Sequence, residues 1–285
     1  MKNPAQFVLG ARAHDFGRHT AHNLARIVKE SGFDCVQLAP AKAIEGINAI
    51  AEINDRHLEN IREAFARQQL EIAVLGCYID PALADEAQRL ANVKLFCDNL
   101  HHAQKLGVRY VGTETTHFPS DAPANEWEKQ YALLKDSVLR MAETAEKTGV
   151  NIGIEPVADH TLDSPELTRR LLDEVNSPRL KLIFDPANLL LPQTAQKQDE
   201  IFQKMIDLNG DQVEVMHIKG ITIAENKKIW ATIAGGIINY TPIFNWLKSK
   251  KHGMRLLCDE VQMDSYKDDL KSLRELAGVS NDIAT

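Results

Sequence analysis

The sequence has no CxxC pair, no apolar run approaching the length of a membrane span, and no GxGxxG behind its first strand-like segment. Each absence excludes something. The four cysteines, Cys35, Cys77, Cys97 and Cys258, lie far apart, three of them in apolar strand-like runs. They read as buried free thiols of a reducing cytoplasm rather than as a disulfide framework. Without a long apolar run there is no membrane-spanning helix to expect. The N-terminal MKNPAQFVLGARAHDFG has one lysine, then a proline, then a run too short for a secretory core, so a cytoplasmic chain is expected. Positive charge is also in deficit, with 33 Lys and Arg against 40 Asp and Glu and a net charge of −7. That balance argues against nucleic acid or an anionic membrane as partner.

What is present is a long alternation. The chain has 285 residues, 44% of them hydrophobic, enough for a large buried core. Strand-like runs at Phe7–Ala13, Cys35–Ala39, Ile72–Tyr78, Val108–Gly112, Val150–Val157, Leu180–Pro186, Val213–Lys219 and Met254–Val261 are separated by helical patterns. The helices are expected over Thr20–Glu30 and Asn54–Gln69, from Asp80-Pro81 to Gly107, and from Asn125, with Glu128 three residues on, to near Gly149. Further ones start at Ser164-Pro165, span Asp199–Leu208, run from Thr241-Pro242 to Lys251, and cover about Ser265 to Leu276. Gly32, Gly107, Gly149 and Gly253 stand where a helix should end before a strand. Strict alternation implies parallel strands. Eight such units predict a (β/α)₈ TIM barrel formed by residues 1–285 as a single domain. An open doubly wound sheet is the alternative, but the missing dinucleotide fingerprint speaks against it.

Four consecutive strands end on residue types that bind metal: Glu155 in VNIGIEPV, Asp185 in LKLIFDP, His217 in VEVMHIK and Glu260 in MRLLCDEV. A TIM barrel carries its active site at this end of its strands. Three carboxylates and an imidazole suit one divalent ion, Mn²⁺, Mg²⁺, Co²⁺ or Zn²⁺. Without a cation the acids would repel, and one of them would take up a proton. Singly, each of these residues is more ordinarily a cap, a loop acid or a core histidine. Together, at equivalent ends of successive strands, they read as one site.

The stretches IGIEPV, LIFDPANLL, VMHIKG and LLCDEV resemble the xylose-isomerase-like TIM-barrel superfamily, which includes sugar and sugar-phosphate isomerases and epimerases, inosose dehydratases and endonuclease IV. By resemblance to its ketose 3-epimerase branch, Glu155, Asp185, His217 and Glu260 bind one divalent metal, Mn²⁺ foremost. Glu155 and Glu260 are then also the acid/base pair. The chemistry is coherent: moving a proton beside a sugar carbonyl needs a Lewis acid to stabilise the enediolate and a base within hydrogen-bond reach. The resemblance implies a small carbohydrate substrate and a homodimer or homotetramer. It also admits a lyase acting on a keto-sugar or keto-inositol with the same metal site. The endonuclease branch needs more histidines and a further aspartate.

Two departures stand out. Where the family usually has a histidine three residues after the strand-six aspartate, this chain has Asn188, which orients substrate but cannot carry a proton. The common HxKD is His217-Ile218-Lys219-Gly220 here, leaving Lys219 either to meet a substrate oxygen or to be a plain surface lysine. Further substrate-binding candidates are His14 beside Asp15, Glu114 beside His117, and His160, each with a loop or capping role as the alternative. Trp230 is either an apolar wall for a sugar ring or a packing residue. The loop from Ala234 to Tyr240 resembles the family's glycine-rich loop beside the site.

Overall fold

The structure, a computed structural model, describes residues 7–119, 122–250 and 253–279. Its strands are β1 (Phe7–Arg12), β2 (Cys35–Leu38), β3 (Glu71–Gly76), β4 (Tyr110–Thr113), β5 (Asn151–Ile154), β6 (Leu180–Phe184), β7 (Val213–Ile218), β8 (Gly220–Ala224), β9 (Lys227–Ala231) and β10 (Met254–Cys258). Eight of them close into a parallel barrel in the order β1-β10-β7-β6-β5-β4-β3-β2, and β8 and β9 form a separate antiparallel hairpin. The helices are α1 (Ala21–Glu30), α2 (Pro40–Ala43), α3 (Asp55–Arg67), α4 (Glu86–Leu106), α5 (Ala124–Thr148), α6 (Pro165–Val175), α7 (Gln198–Asn209), α8 (Thr241–Lys250) and α9 (Tyr266–Ala277). The barrel is the (β/α)₈ architecture expected from the alternation.

The local reasons are those read from the pattern. In α1, Leu24 and Val28 stand one turn apart and are buried, while the Thr20 hydroxyl accepts the Asn23 N–H at the start. Ser164 caps α6 in the same way, with Pro165 at its first position. Gly107 and Gly149 end α4 and α5 at φ of 72° and 73°, a left-handed conformation that glycine takes without penalty.

Two helix starts differ, and one hairpin is added. Helix α4 begins at Glu86, because the Asp85 carboxylate accepts the Gln88 N–H; Asp80-Pro81 lies in the preceding loop. Helix α5 starts behind Pro123, and Glu128 is drawn away from any capping box by a two-pronged pair with Arg170 at 2.8 and 3.0 Å. The β8–β9 hairpin is an insertion that the alternation does not announce. Its turn, Glu225-Asn226, has φ of 51° and 57°, the twist that closes a two-residue hairpin. Lys251, expected in α8, and residues 1–6 of the N-terminal stretch lie outside the described residues.

Two cores share the strands. The larger lies between their outer faces and the helices. The smaller fills the barrel: Cys35, Ala73, Val74, Tyr110, Ile183, Val215 and Leu257, with Val8 against them. Side chains alternate along a strand, so two residues beyond Tyr110, Ile183, Val215 and Leu257 the chain again points inward, at Gly112, Asp185, His217 and Asp259. The polar end of the barrel is therefore the continuation of its apolar filling.

Gly112 is part of that filling by having no side chain. A Cβ there would stand 2.7 Å from Val74 Cγ1 and 2.9 Å from Ile183 Cδ1. Gly112→Ala is expected to destabilise the fold by about 1–3 kcal/mol through overpacking. Urea unfolding measures this, and an unchanged midpoint would show that the interior is looser than these distances require.

Candidate functional site

The site begins with what holds each strand end. Glu155 follows β5 directly, and its N–H donates to the Thr113 carbonyl of β4. Its carboxylate is 4% exposed and accepts the Asn188 side-chain amide at 2.6 Å. Asp185 follows β6 and is fully buried. Its Oδ1 accepts the N–H groups of Ala187 at 2.8 Å and Asn188 at 3.1 Å, a local turn that fixes the carboxylate. His217 lies within β7, and its Nε2 is 3.0 Å from the Gln37 side-chain oxygen. Gln37 in turn donates its amide to the Tyr78 hydroxyl at 3.0 Å. The Gln37 oxygen accepts a proton from Nε2, and this turns Nδ1 towards Glu155 Oε2, 3.2 Å away.

Ligand atoms of Glu155, Asp185 and His217 lie within 4.8 Å of one another, and this is the one such metal-capable group among the described residues. Two observations fit a divalent ion here. Asp185 Oδ2 and His217 Nδ1 are buried without a hydrogen-bond partner, although each faces an opposite charge at 3.2 Å in a poor direction for such a bond. Each ligand also has an outer partner that orients it, Asn188, Gln37 or the backbone turn. Burial by itself would depress His217, but the Glu155 carboxylate overrides it and raises the ring to about 9.

Glu260 is not within the triad. Asp259, one residue earlier, occupies the inward position and is 8% exposed. Its Oδ1 pairs with Arg12 at 2.8 Å and its Oδ2 with the Lys219 ammonium at 3.1 Å. Burial opposes its charge, but Lys219, His217 and Arg12 outweigh burial and bring Asp259 down to about 2. Glu260 stands at the rim with φ 58°, its half-exposed carboxylate 3.5 Å from Lys219. The next residue, Val261, donates its N–H to Asp15, which is also held by Arg12.

Lys219 is no surface lysine. It is 5% exposed, and its ammonium lies 3.2 Å from Asp185 Oδ2. The Tyr240 hydroxyl pins its backbone, accepting the N–H and donating to the carbonyl.

The model of the xylose isomerase-like TIM barrel family matches residues 25–276. The chain belongs to that family. No curated protein matches the sequence. Among solved structures, a D-tagatose 3-epimerase-like protein superposes with a TM-score of 0.77 at 17% identity, covering 95% of this chain and 97% of that one. The 3-keto-D-glucoside 4-epimerase of E. coli gives 0.74 at 18%, covering 94% and 99%. A xylose isomerase-like TIM barrel protein of Mycobacterium smegmatis, in complex with magnesium, gives 0.74 at 18%, covering 97% and 98%. At such identities the superpositions speak for a shared fold.

The remaining sequence candidates are engaged to different degrees. Glu114 feels the charges of the triad; burial first, then Glu155, push it up to about 7. Asn188 is engaged with Glu155. His160 is half-buried, its ring 6.0 Å from that of His117 across a short bridge between their loops. Burial holds His160 below its ordinary pKa. His14 faces Tyr78 edge-on at 6.2 Å. Trp230 sits on the hairpin opposite Ile221, partly exposed. In the loop from Ala234, a Cβ on Gly236 would meet the backbone of Gly220 and Ile221 at 2.9 Å, so that glycine serves a close approach to the hairpin. No helix among the described residues is long and apolar enough to cross a membrane.

Arg12, Gln37, Tyr78 and Asp259 belong to the site without having been singled out from the sequence. For Arg12, Gln37 and Asp259 the missing signal was parity: each lies an even number of residues from an inward apolar or glycine position of its own strand.

Burial, then the charges of Arg12 and Lys42, push His14 down to about 4. An unfolded histidine titrates near 6.5, so between the two values the unfolded chain binds the extra proton and the folded one refuses it. The His14 contribution to stability is thus present above pH 6.5 and lost as pH falls towards 4. NMR titration should place the His14 midpoint near 4, and His14→Gln should flatten the loss of stability over that window. A midpoint at 6.5 or above would mean that the ring is solvated.

Proposed function

We propose that the chain is a divalent-metal-dependent isomerase or epimerase acting on a small polyhydroxylated carbonyl compound, a sugar, sugar phosphate or related polyol ketone. One observation carries this reading: Glu155, Asp185 and His217 converge at the barrel mouth with Asp185 Oδ2 and His217 Nδ1 free of hydrogen bonds. Epimerases on the same fold, and a relative whose structure contains magnesium, support it.

A bound divalent ion, Mn²⁺ by preference for this oxygen-rich set, would supply the positive charge that polarises a substrate carbonyl. Glu155, Asp185 and His217 would hold it. Glu155 and Glu260 form the acid/base pair, one removing the proton next to the carbonyl and the other returning it. The bond from Asn188 fixes which way Glu155 faces. Glu260, on the exposed rim, exchanges its proton with solvent. Glu114, pushed up to about 7 by burial and by the Glu155 charge, holds a proton for part of the time at neutral pH, so it can donate a hydrogen bond to a substrate oxygen. His14 and His160, both neutral near pH 7, offer hydrogen bonds to hydroxyls from opposite loops.

Protein purified without chelator is expected to carry about one divalent ion per chain and to lose it in Asp185→Ala. Elemental analysis reads this, and equal metal in both proteins would overturn the site.

The activity is tested in D₂O with Mn²⁺ and a panel of ketoses, ketose phosphates and keto-inositols, following deuterium entry at carbon by NMR. Glu155→Gln should slow exchange on the order of 10²–10⁴-fold with an unchanged circular dichroism spectrum. Wild-type exchange in that variant would remove Glu155 from the chemistry. Loss of water from the substrate in place of exchange would make the enzyme a lyase.

A further inference from the structure

Asp185 has one oxygen left to give. Its Oδ1 is occupied by the backbone N–H groups of Ala187 and Asn188. Its Oδ2 is buried and makes no hydrogen bond, and the Lys219 ammonium stands 3.2 Å from it. A metal ion held by the triad would take that same oxygen. The ammonium has two further anionic neighbours, Asp259 Oδ2 at 3.1 Å and Glu260 Oε1 at 3.5 Å, neither of them in the triad. Arg12 fixes Asp259 from its other oxygen at 2.8 Å, so Oδ2 stays turned towards the lysine.

We propose that Lys219 is a built-in competitor of the metal: its ammonium and a divalent ion contend for Asp185 Oδ2, and Asp259 with Glu260 is the berth to which the ammonium withdraws when the ion binds. The proposal rests on the metal-site reading above. The physical argument is charge. A dication and an ammonium drawn to one buried oxygen repel each other with little water between them to screen the repulsion. With the metal away, the ammonium offsets three carboxylates that would otherwise be buried or half-buried together. The lysine stem is flexible enough to move its head between neighbouring acids while Tyr240 keeps the backbone fixed. Lys219 therefore sets how tightly the site holds its ion. On withdrawal it is placed against Glu260, at the edge where substrate enters.

The test is Mn²⁺ binding without substrate, with free Mn²⁺ read by electron paramagnetic resonance. Lys219→Met should bind Mn²⁺ about tenfold or more tightly than wild type, and Mn²⁺ should raise its melting temperature by a larger increment. Lys219→Arg keeps the charge and should stay near wild-type affinity. Equal or weaker binding by Lys219→Met would overturn the proposal. Asp259→Asn gives an independent reading where Lys219→Met fails to fold. With the berth neutralised, the ammonium stays on Asp185 and Mn²⁺ binding should weaken about tenfold; unchanged binding by that variant would also overturn the proposal. If wild type and every variant leave Mn²⁺ free, the metal reading itself falls, an outcome distinct from equal binding by all.

Discussion

A closed parallel barrel forces every second residue of every strand into a narrow common interior. The rest of this structure depends on that constraint. At mid-height the interior accepts Ile183, Leu257, Val74 and Tyr110 beside glycines. Two residues further along, the same positions can no longer be apolar without closing the mouth, and they are Asp185, Asp259 and their neighbours. The site is not placed upon the barrel. It is the top layer of the barrel's own packing.

Charge is the second constraint. Glu155, Asp185 and Asp259 are each less than a tenth exposed, a burden that a protein interior carries only when the charges are paired. The pairing is distributed: His217 answers Glu155, Arg12 and Lys219 answer Asp259, and Lys219 extends to Asp185 and Glu260. Backbone N–H groups and the Asn188 amide take most of the remaining lone pairs. Two atoms, Asp185 Oδ2 and His217 Nδ1, are left over, and both belong to the group that can bind a metal.

Much of this was legible in the sequence, for physical reasons that differ by element. The barrel strands are short apolar runs bounded by glycine, proline or a charge, and Glu155, Asp185 and His217 could be read because each ends or nearly ends such a run. The step from Cys258 to Asp259 and Glu260 offered two acids, and motif resemblance favoured the second, whereas strand parity from Leu257 turns the first inward. Gln37 and Arg12 gave no motif because their role is to orient or neutralise a group that arrives from the other half of the chain. The hairpin at Gly220–Ala231 gives no separate signal because its first strand follows Lys219 directly, so GITIA reads as a continuation of the seventh barrel strand, and each of its strands is only five residues long. Asp80-Pro81 looked like a helix start, but the side chain that captures an N–H is Asp85.

The line of contacts from Glu155 through His217 and Gln37 to Tyr78 crosses the barrel from β5 to the loop after β3. The two halves of the chain are therefore not interchangeable modules. A recombinant barrel that took residues up to β4 from another member of the fold would still carry Glu155, Asp185 and His217. Unless the donor also placed a carboxamide at the position of Gln37, its imidazole would lose the partner that selects its tautomer. Inheritance of the ligands would then not amount to inheritance of the site.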